Sequence, residues 1–204
     1  EVAFDADWEF FLQSGATIDG AVLEIERVMN EVGLIYQEQT DISYWYRIFV
    51  IRTTVDDPYT SSDSAARLCQ LRTHWNTVLS FFPRDTVHMF TGVDLDGNVV
   101  GRAFLGAICE DGNACGVVSG DIGYGLSWTY FSSSLNERTT LVAHEFGHNW
   151  NACHCNDSDC TGGGADLDCG IMNSSILSGP QDFGVRSLAA ILVCVVVCAI
   201  FVQD

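Results

Sequence analysis

Residues His144-Glu145-Phe146-Gly147-His148-Asn149-Trp150-Asn151-Ala152-Cys153-His154 concentrate the groups in this chain best suited to hydrolytic chemistry. His144 and His148 are four residues apart. On a helix that spacing leaves two side chains about 40° apart around the axis and one turn apart along it, so both imidazoles can reach one metal ion. Imidazole nitrogen suits zinc, and a catalytic zinc takes three protein ligands and keeps a fourth position for water. Glu145, beside the first ligand, can reach such a water and take its proton as general base. His154 is the third ligand only if the helix stops, because a continued helix would carry it about 9 Å further along the axis than His148. Asn151 stands where the break is needed, and Asn ranks after Gly in the left-handed conformation that ends helices. The competing reading is a helix whose histidines only cap or pack.

These side chains need a helix and a sheet to hold them. A helix is expected from near Asn136, carrying Leu141, Val142, His144, Glu145 and His148. Upstream, Phe4 to Phe10 alternates apolar and acidic residues, the period of a half-buried strand. Ile18, Val22, Ile25, Met29, Val32 and Tyr36 recur every three or four residues and predict a long amphipathic helix. Ile42 to Ile51 reads as a second strand, and Ser62-Asp63-Ser64 offers caps for a helix with Leu68, Trp75, Leu79 and Phe82 on its apolar face. Val87 to Thr91 and Val100 to Ile108 read as further strands, separated by the turn Asp94 to Asn98. The order β-α-β-α-β-β-α implies an α/β fold: a mixed twisted sheet with long helices. His74 and His88 fall on a predicted helix and strand and read as surface or packed residues, not ligands.

The chain carries 27 acidic residues against nine arginines and no lysine, for a formal net charge of -18. Such a surface repels phosphate backbones, which excludes nucleic acid as the expected partner. It would steer cationic substrates, although solubility or a salty medium is the better explanation. Nine cysteines point to an oxidising compartment, so a secreted, extracellular protein is expected. No signal peptide is visible at the start, which reads as a trimmed domain. Leu188 to Val202 is 15 uninterrupted apolar residues, against the roughly 20 that a membrane span needs. It is therefore read as a buried terminal helix, with residues 1–187 the catalytic domain and 188–204 its apolar C-terminal helix; a membrane anchor is the rival.

The histidine segment resembles the signature of the metzincin metallopeptidases, His-Glu-x-x-His-x-x-Gly-x-x-His followed by a methionine-bearing turn. Cys169-Gly170-Ile171-Met172 ends 18 residues after His154, where that turn belongs. The chain is most similar to the adamalysin, or reprolysin-like, group, through His88 to Gly92 and Gly101 to Cys109. The resemblance implies a zincin fold with an irregular C-terminal subdomain after the third ligand, and one catalytic zinc on His144, His148 and His154. It makes Glu145 the general base and Met172 an apolar floor beneath the metal. It also implies that Ala103, Phe104, Leu105 and Gly106 form the sheet edge on which an extended protein or peptide substrate pairs, by β-augmentation. Asn151 stands where the signature has Gly, Cys155 where the group carries Asp, and no Tyr closely follows Met172.

Cys153, Cys155, Cys160 and Cys169 crowd the third ligand and read as two disulfides pinning an irregular loop. The rivals are a second zinc site or a Cys displacing His154. Cys109 and Cys115 are near enough for a local bridge; the resemblance implies that Cys109 instead reaches Cys194 or Cys198. Nine is odd, so one thiol is left over, and Cys69 is the expected one. Asp166 and Asp168 offer carboxylates for calcium, without an ordered ligand series to support it. The expectation is a monomeric zinc endopeptidase acting on extracellular proteins or peptides. The alternative is a catalytically silent binding module that keeps the fold and the metal.

Overall fold

The computed structural model describes residues 1–116, 119–155, 169–176 and 182–201, without the side chains of 199–201. Five strands, β1 (Val2–Ala6), β2 (Tyr46–Ile51), β3 (Thr86–Phe90), β4 (Gly101–Ala103) and β5 (Tyr124–Ser127), form one sheet in the order β2-β1-β3-β5-β4. Neighbours run parallel except β4, which is antiparallel to β5 and ends the sheet. The helices are α1 (Trp8–Gln13), α2 (Ile18–Thr40), α3 (Ser64–Thr77), α4 (Leu135–Asn149) and α5 (Val185–Phe201). This is the mixed α/β architecture expected.

Side chains alternate across a strand, so each strand feeds two cores. Phe4 and Phe90 pack with Ile25, Met29 and Val32 of α2 and Phe146 of α4 on one face. Ala3, Val87, Met89 and Leu126 pack with Leu68, Leu71 and Trp75 of α3 on the other. Helices on both faces leave β1 and β3 entirely buried. The α5 helix joins the first core through Ile191, with Leu188 and Val195 packed beside it. No helix among the described residues is long and apolar enough to cross a membrane.

Several sequence expectations are corrected. The first strand stops at Ala6 because Asp7 caps α1. Its Oδ1 accepts from the amides of Phe10 (2.7 Å) and Gly92 (2.9 Å), and its Oδ2 from Arg67 (2.6 Å). Asp5, expected on a solvent face, is fully buried and binds Arg52 (2.7 Å), Tyr59 Oη (2.6 Å) and Trp75 Nε1 (2.8 Å). A charge tolerates burial when it is paired and its lone pairs are filled in this way. Ile18 is 56% exposed, so the inner face of α2 starts at Ala21. The second strand begins at Tyr46, not Ile42, and α3 ends before Leu79 and Phe82. The Gly- and Ser-rich passage, for which no element is expected, supplies β5 and a 3₁₀ turn at Thr129–Phe131.

Where one strand from Val100 to Ile108 is expected, β4 covers only Gly101–Ala103. Phe104 N–H still donates to Tyr124 O (3.1 Å), and then the chain leaves the sheet to meet the end of α4. Gly106 N–H donates to His148 O (2.8 Å) and Ala107 N–H to Asn149 O (2.9 Å), and Gly106 has a φ of 59°. Free helix carbonyls compete with the sheet for these amides, and they win.

The disulfides Cys69–Cys115, Cys109–Cys198 and Cys155–Cys169 are formed. Cys153 is disulfide-bonded as well, and Cys194 is a free thiol. So Cys69 is not the unpaired cysteine, and Cys109 does not bridge Cys115. The physical reason is the packing of α5 beside Ile108, whose carbonyl lies 3.5 Å from Cys198 Sγ, which brings Cys198 rather than its neighbour one turn earlier to Cys109. Cys160, Asp166 and Asp168 lie outside the described residues, as does most of the expected irregular subdomain.

His88, fully buried on β3, stacks on Phe146 (4.8 Å, 21°) and bonds Ser127 Oγ through Nε2 (3.0 Å). Burial pushes its pKa down to about 3. The unfolded chain takes up that proton near pH 6.5. Between about pH 6.5 and 3 it therefore binds more protons than the native state, and stability falls as pH falls through this window. Denaturant melts across that window should show a slope of stability with pH shallower by about 1.4 kcal/mol per unit in His88→Gln. An unchanged slope would mean that His88 is not held neutral.

Candidate metal centre

Ser134 caps α4 through its Oγ, and the helix then runs buried beneath the sheet, with Val142, Ala143 and Phe146 in the core. Burial on this scale brings His144 and Glu145, each 4% exposed, into the interior with the core residues that flank them.

The helix ends through two hydrogen bonds. Asn151 N–H donates to His148 O (2.8 Å) and Ala152 N–H to Gly147 O (2.8 Å), with Asn151 at φ 72°. That pair of bonds around a left-handed residue is the Schellman termination. It turns the chain back, and the side-chain ligand atoms of His144, His148 and His154 then lie within 4.8 Å of one another. His144 Nε2 and His154 Nε2 are 3.1 Å apart.

Backbone carbonyls orient two of the rings. Nδ1 of His144 lies 2.8 Å from Ile171 O, and Nδ1 of His148 lies 2.8 Å from Ala152 O. A proton donated there leaves Nε2 as the metal-binding atom. Burial, with the neighbouring His148 and His154 adding to it against the Ile171 carbonyl, pushes the His144 pKa down to about 3. Its imidazole is thus neutral at neutral pH, the form that ligates. Three imidazole nitrogens converging on one point fit zinc.

Glu145 faces the same space. Its Oε2 is buried with no hydrogen-bond partner among the described residues. Burial pushes the carboxyl up to about 8, against the pull of the Arg102 guanidinium. Gly101 makes room for it: a Cβ there would lie 2.4 Å from Glu145 Oε1. The space opens into a cleft of about 510 Å³, lined by the three histidines, Glu145, Leu141 and the β4 backbone.

The segment from Cys169 to Met172 forms a turn, closed by Met172 N–H to Cys169 O (3.1 Å). Met172 is fully buried, and its Sδ packs on α4 where a Cβ at position 147 would come within 2.5 Å. Gly147, Gly101 and Asn149 also shape the site. Asn149 Nδ2 donates to Phe104 O (2.9 Å) and Tyr124 O (3.1 Å), tying α4 to the sheet edge. Gly147 carried a legible signal, since a glycine inside a helix costs about 1 kcal/mol and usually marks a close approach. Asn149 carried none.

A mixed sheet whose edge strand lies along a helix bearing two of three converging histidines defines a metzincin-type metallopeptidase fold. Residues 1–182 match the profile of metallo-peptidase family M12, and the chain belongs to that family. It is similar to a zinc metalloproteinase/disintegrin of Bitis gabonica, 32% identical over 82 residues, covering 37% of this chain and 22% of the relative. It is also similar to the zinc metalloproteinase-disintegrin-like atrase-B of Naja atra, 32% identical over 74 residues, covering 34% of this chain and 10% of the relative.

The left-handed residue sets the position of His154. Gly adopts that conformation freely, Asn tolerates it, and a β-branched residue is strained there by roughly 1–2 kcal/mol or more. Asn151→Gly should keep its zinc affinity, while Asn151→Val should lose roughly tenfold in chelator competition although no ligand is changed. Equal affinities would show that this backbone conformation does not place His154. Gly147→Ala should lower the melting temperature by displacing Met172; the same temperature within error would contradict the close approach.

Proposed function

We propose that this chain is a zinc-dependent endopeptidase that hydrolyses peptide bonds in proteins or peptides outside the cytoplasm. The observation that carries the reading is the convergence of His144, His148 and His154 within 4.8 Å, with the buried Oε2 of Glu145 turned to the same cleft and unpartnered among the described residues. The three histidines would hold one zinc ion. Bound there, zinc supplies Lewis acidity, making a water more acidic and polarising a carbonyl.

The chain's own groups do the rest. Glu145 takes the proton of the attacking water on Oε2. Burial raises the proton affinity of this carboxyl, so a proton taken from the water is held there and can pass to the departing amine. Of the expected edge residues Ala103, Phe104, Leu105 and Gly106, Ala103 and Leu105 would present main-chain groups to an extended substrate, because the Phe104 N–H and carbonyl and the Gly106 N–H are already bonded to Tyr124, Asn149 and His148. Met172 supports the metal centre from below, through Gly147. Residues 1–187 act as the catalytic domain and 188–204 as its apolar C-terminal segment, whose helix α5 is tied back by Cys109–Cys198. Disulfides support an oxidising, extracellular setting. The alignments with the zinc metalloproteinases of Bitis gabonica and Naja atra support the metallopeptidase reading, although they span only 22% and 10% of those proteins.

Glu145→Gln should lower kcat for peptide cleavage by about two to four orders of magnitude, while zinc content stays near that of wild type. Chelation should abolish wild-type turnover, and added zinc should restore it. Comparable cleavage by the Gln variant would remove Glu145 from the role of base. A chelator-insensitive activity would overturn the metal-dependent reading.

A further inference from the structure

The chain carries only nine arginines among 27 carboxylates, and most are committed to structure. Arg47, Arg52, Arg67, Arg84 and Arg138 form ion pairs, and Arg72 donates to the carbonyls of Gly112, Ala114 and Asp121. Arg27, Arg102 and Arg186 are exposed and form no ion pair among the described residues, and of the three only Arg102 lines the cleft. Arg102 lies on β4, at the rim. Its Nε donates to Ser64 Oγ (2.8 Å), and Ser64 is itself buried at the start of α3. That bond steadies the guanidinium, and its two terminal nitrogens, with no hydrogen-bond partner among the described residues, can act as a fork. A carboxylate matches such a fork with two parallel hydrogen bonds.

The strand fixes which way this fork faces. Gly101 lies against Glu145, and Ala103 Cβ lies 3.3 Å from where a Cβ on Gly125 would sit, beside His88, so both face α4. By alternation Arg102 faces the opposite side, toward α3, in agreement with its bond to Ser64. Among the described residues no strand lies beside the outer edge of β4. A peptide added to that edge places one of its residues directly across from Arg102 on the same face, with Cβ atoms about 5 Å apart.

We propose that Arg102 selects an acidic residue, Asp or Glu, at the single substrate position paired with it on β4. This inference rests on the peptidase reading for its substrate. The net charge of -18 repels acidic peptides as a whole, so the preference is confined to that one position and is local in origin.

The test is a positional scan of one peptide scaffold against the zinc-loaded protein, with Asp, Glu, Ala and Lys placed in turn at each position. Dissociation constants for the same peptides are measured on Glu145→Gln by fluorescence anisotropy. At one position the acidic peptides should exceed the Ala peptide by about two- to fivefold in both kcat/KM and affinity. The acid-to-Ala ratio should fall to one in Arg102→Gln, survive in part in Arg102→Lys, and invert in favour of Lys in Arg102→Glu. Using a ratio within each variant removes any general loss from loosening the contact with Ser64. A ratio that is flat at every position in wild type, or that is the same in wild type and Arg102→Gln, overturns the proposal. Absence of cleavage by wild type, with binding ratios that still follow Arg102, sinks the peptidase reading and leaves this one standing.

Discussion

The last turn of α4 presents carbonyls that the helix itself cannot satisfy, and the way they are satisfied organises the rest of the molecule. Two of them, on Gly147 and His148, accept from the reversing chain at Ala152 and Asn151. His148 O and Asn149 O also accept from Gly106 and Ala107, which have left the sheet to reach them. One small region therefore sets the position of His154, the point where β4 ends, and the distance between the edge strand and the histidines. The side chain of Asn149 adds a third tie, from the helix to Phe104 and Tyr124.

Close approach is the second theme. A site enclosed by helix, edge strand and methionine turn has little room, and glycines are what allow the three to meet. A Cβ on Gly101 would strike Glu145, and one on Gly147 would strike Met172. Enclosure also sets the chemistry. The same burial that lowers the pKa of His144 raises that of Glu145, because each change disfavours the charged form. The result is a neutral imidazole beside a carboxyl of raised proton affinity, from one physical cause.

Charge is distributed with the same economy. The deep carboxylates Asp5 and Asp7 sit against Arg52 and Arg67, and together they lock β1 to the loop after β2 and to α3. Breaking such a buried pair strands a charge in the interior, which costs several kcal/mol. These arginines hold the fold, while Arg102 at the sheet edge is left for the surface.

The metal centre was legible in the sequence because it is local. Helical spacing alone brings His144 and His148 together, and the left-handed preference of Asn predicted the reversal at Asn151, observed at φ 72°. The long helices were legible from their periodicity, even though the inner face of α2 proved to begin at Ala21. Strand limits were not. The acidic residues from Asp5 to Glu9 show the same alternation whether they face water or bind buried arginines, and nothing in Val100 to Ile108 announces that helix carbonyls will claim its amides. The pairing of Cys109 with Cys198 rather than Cys115 depends on where α5 docks. Sequence by itself thus determined the family and which histidines converge, through contacts made within a few residues. Tertiary structure decided the length of the edge strand, the partners of the buried charges, the disulfide pairing and the burial that tunes Glu145, because each arises where distant segments compete for the same hydrogen bonds and space.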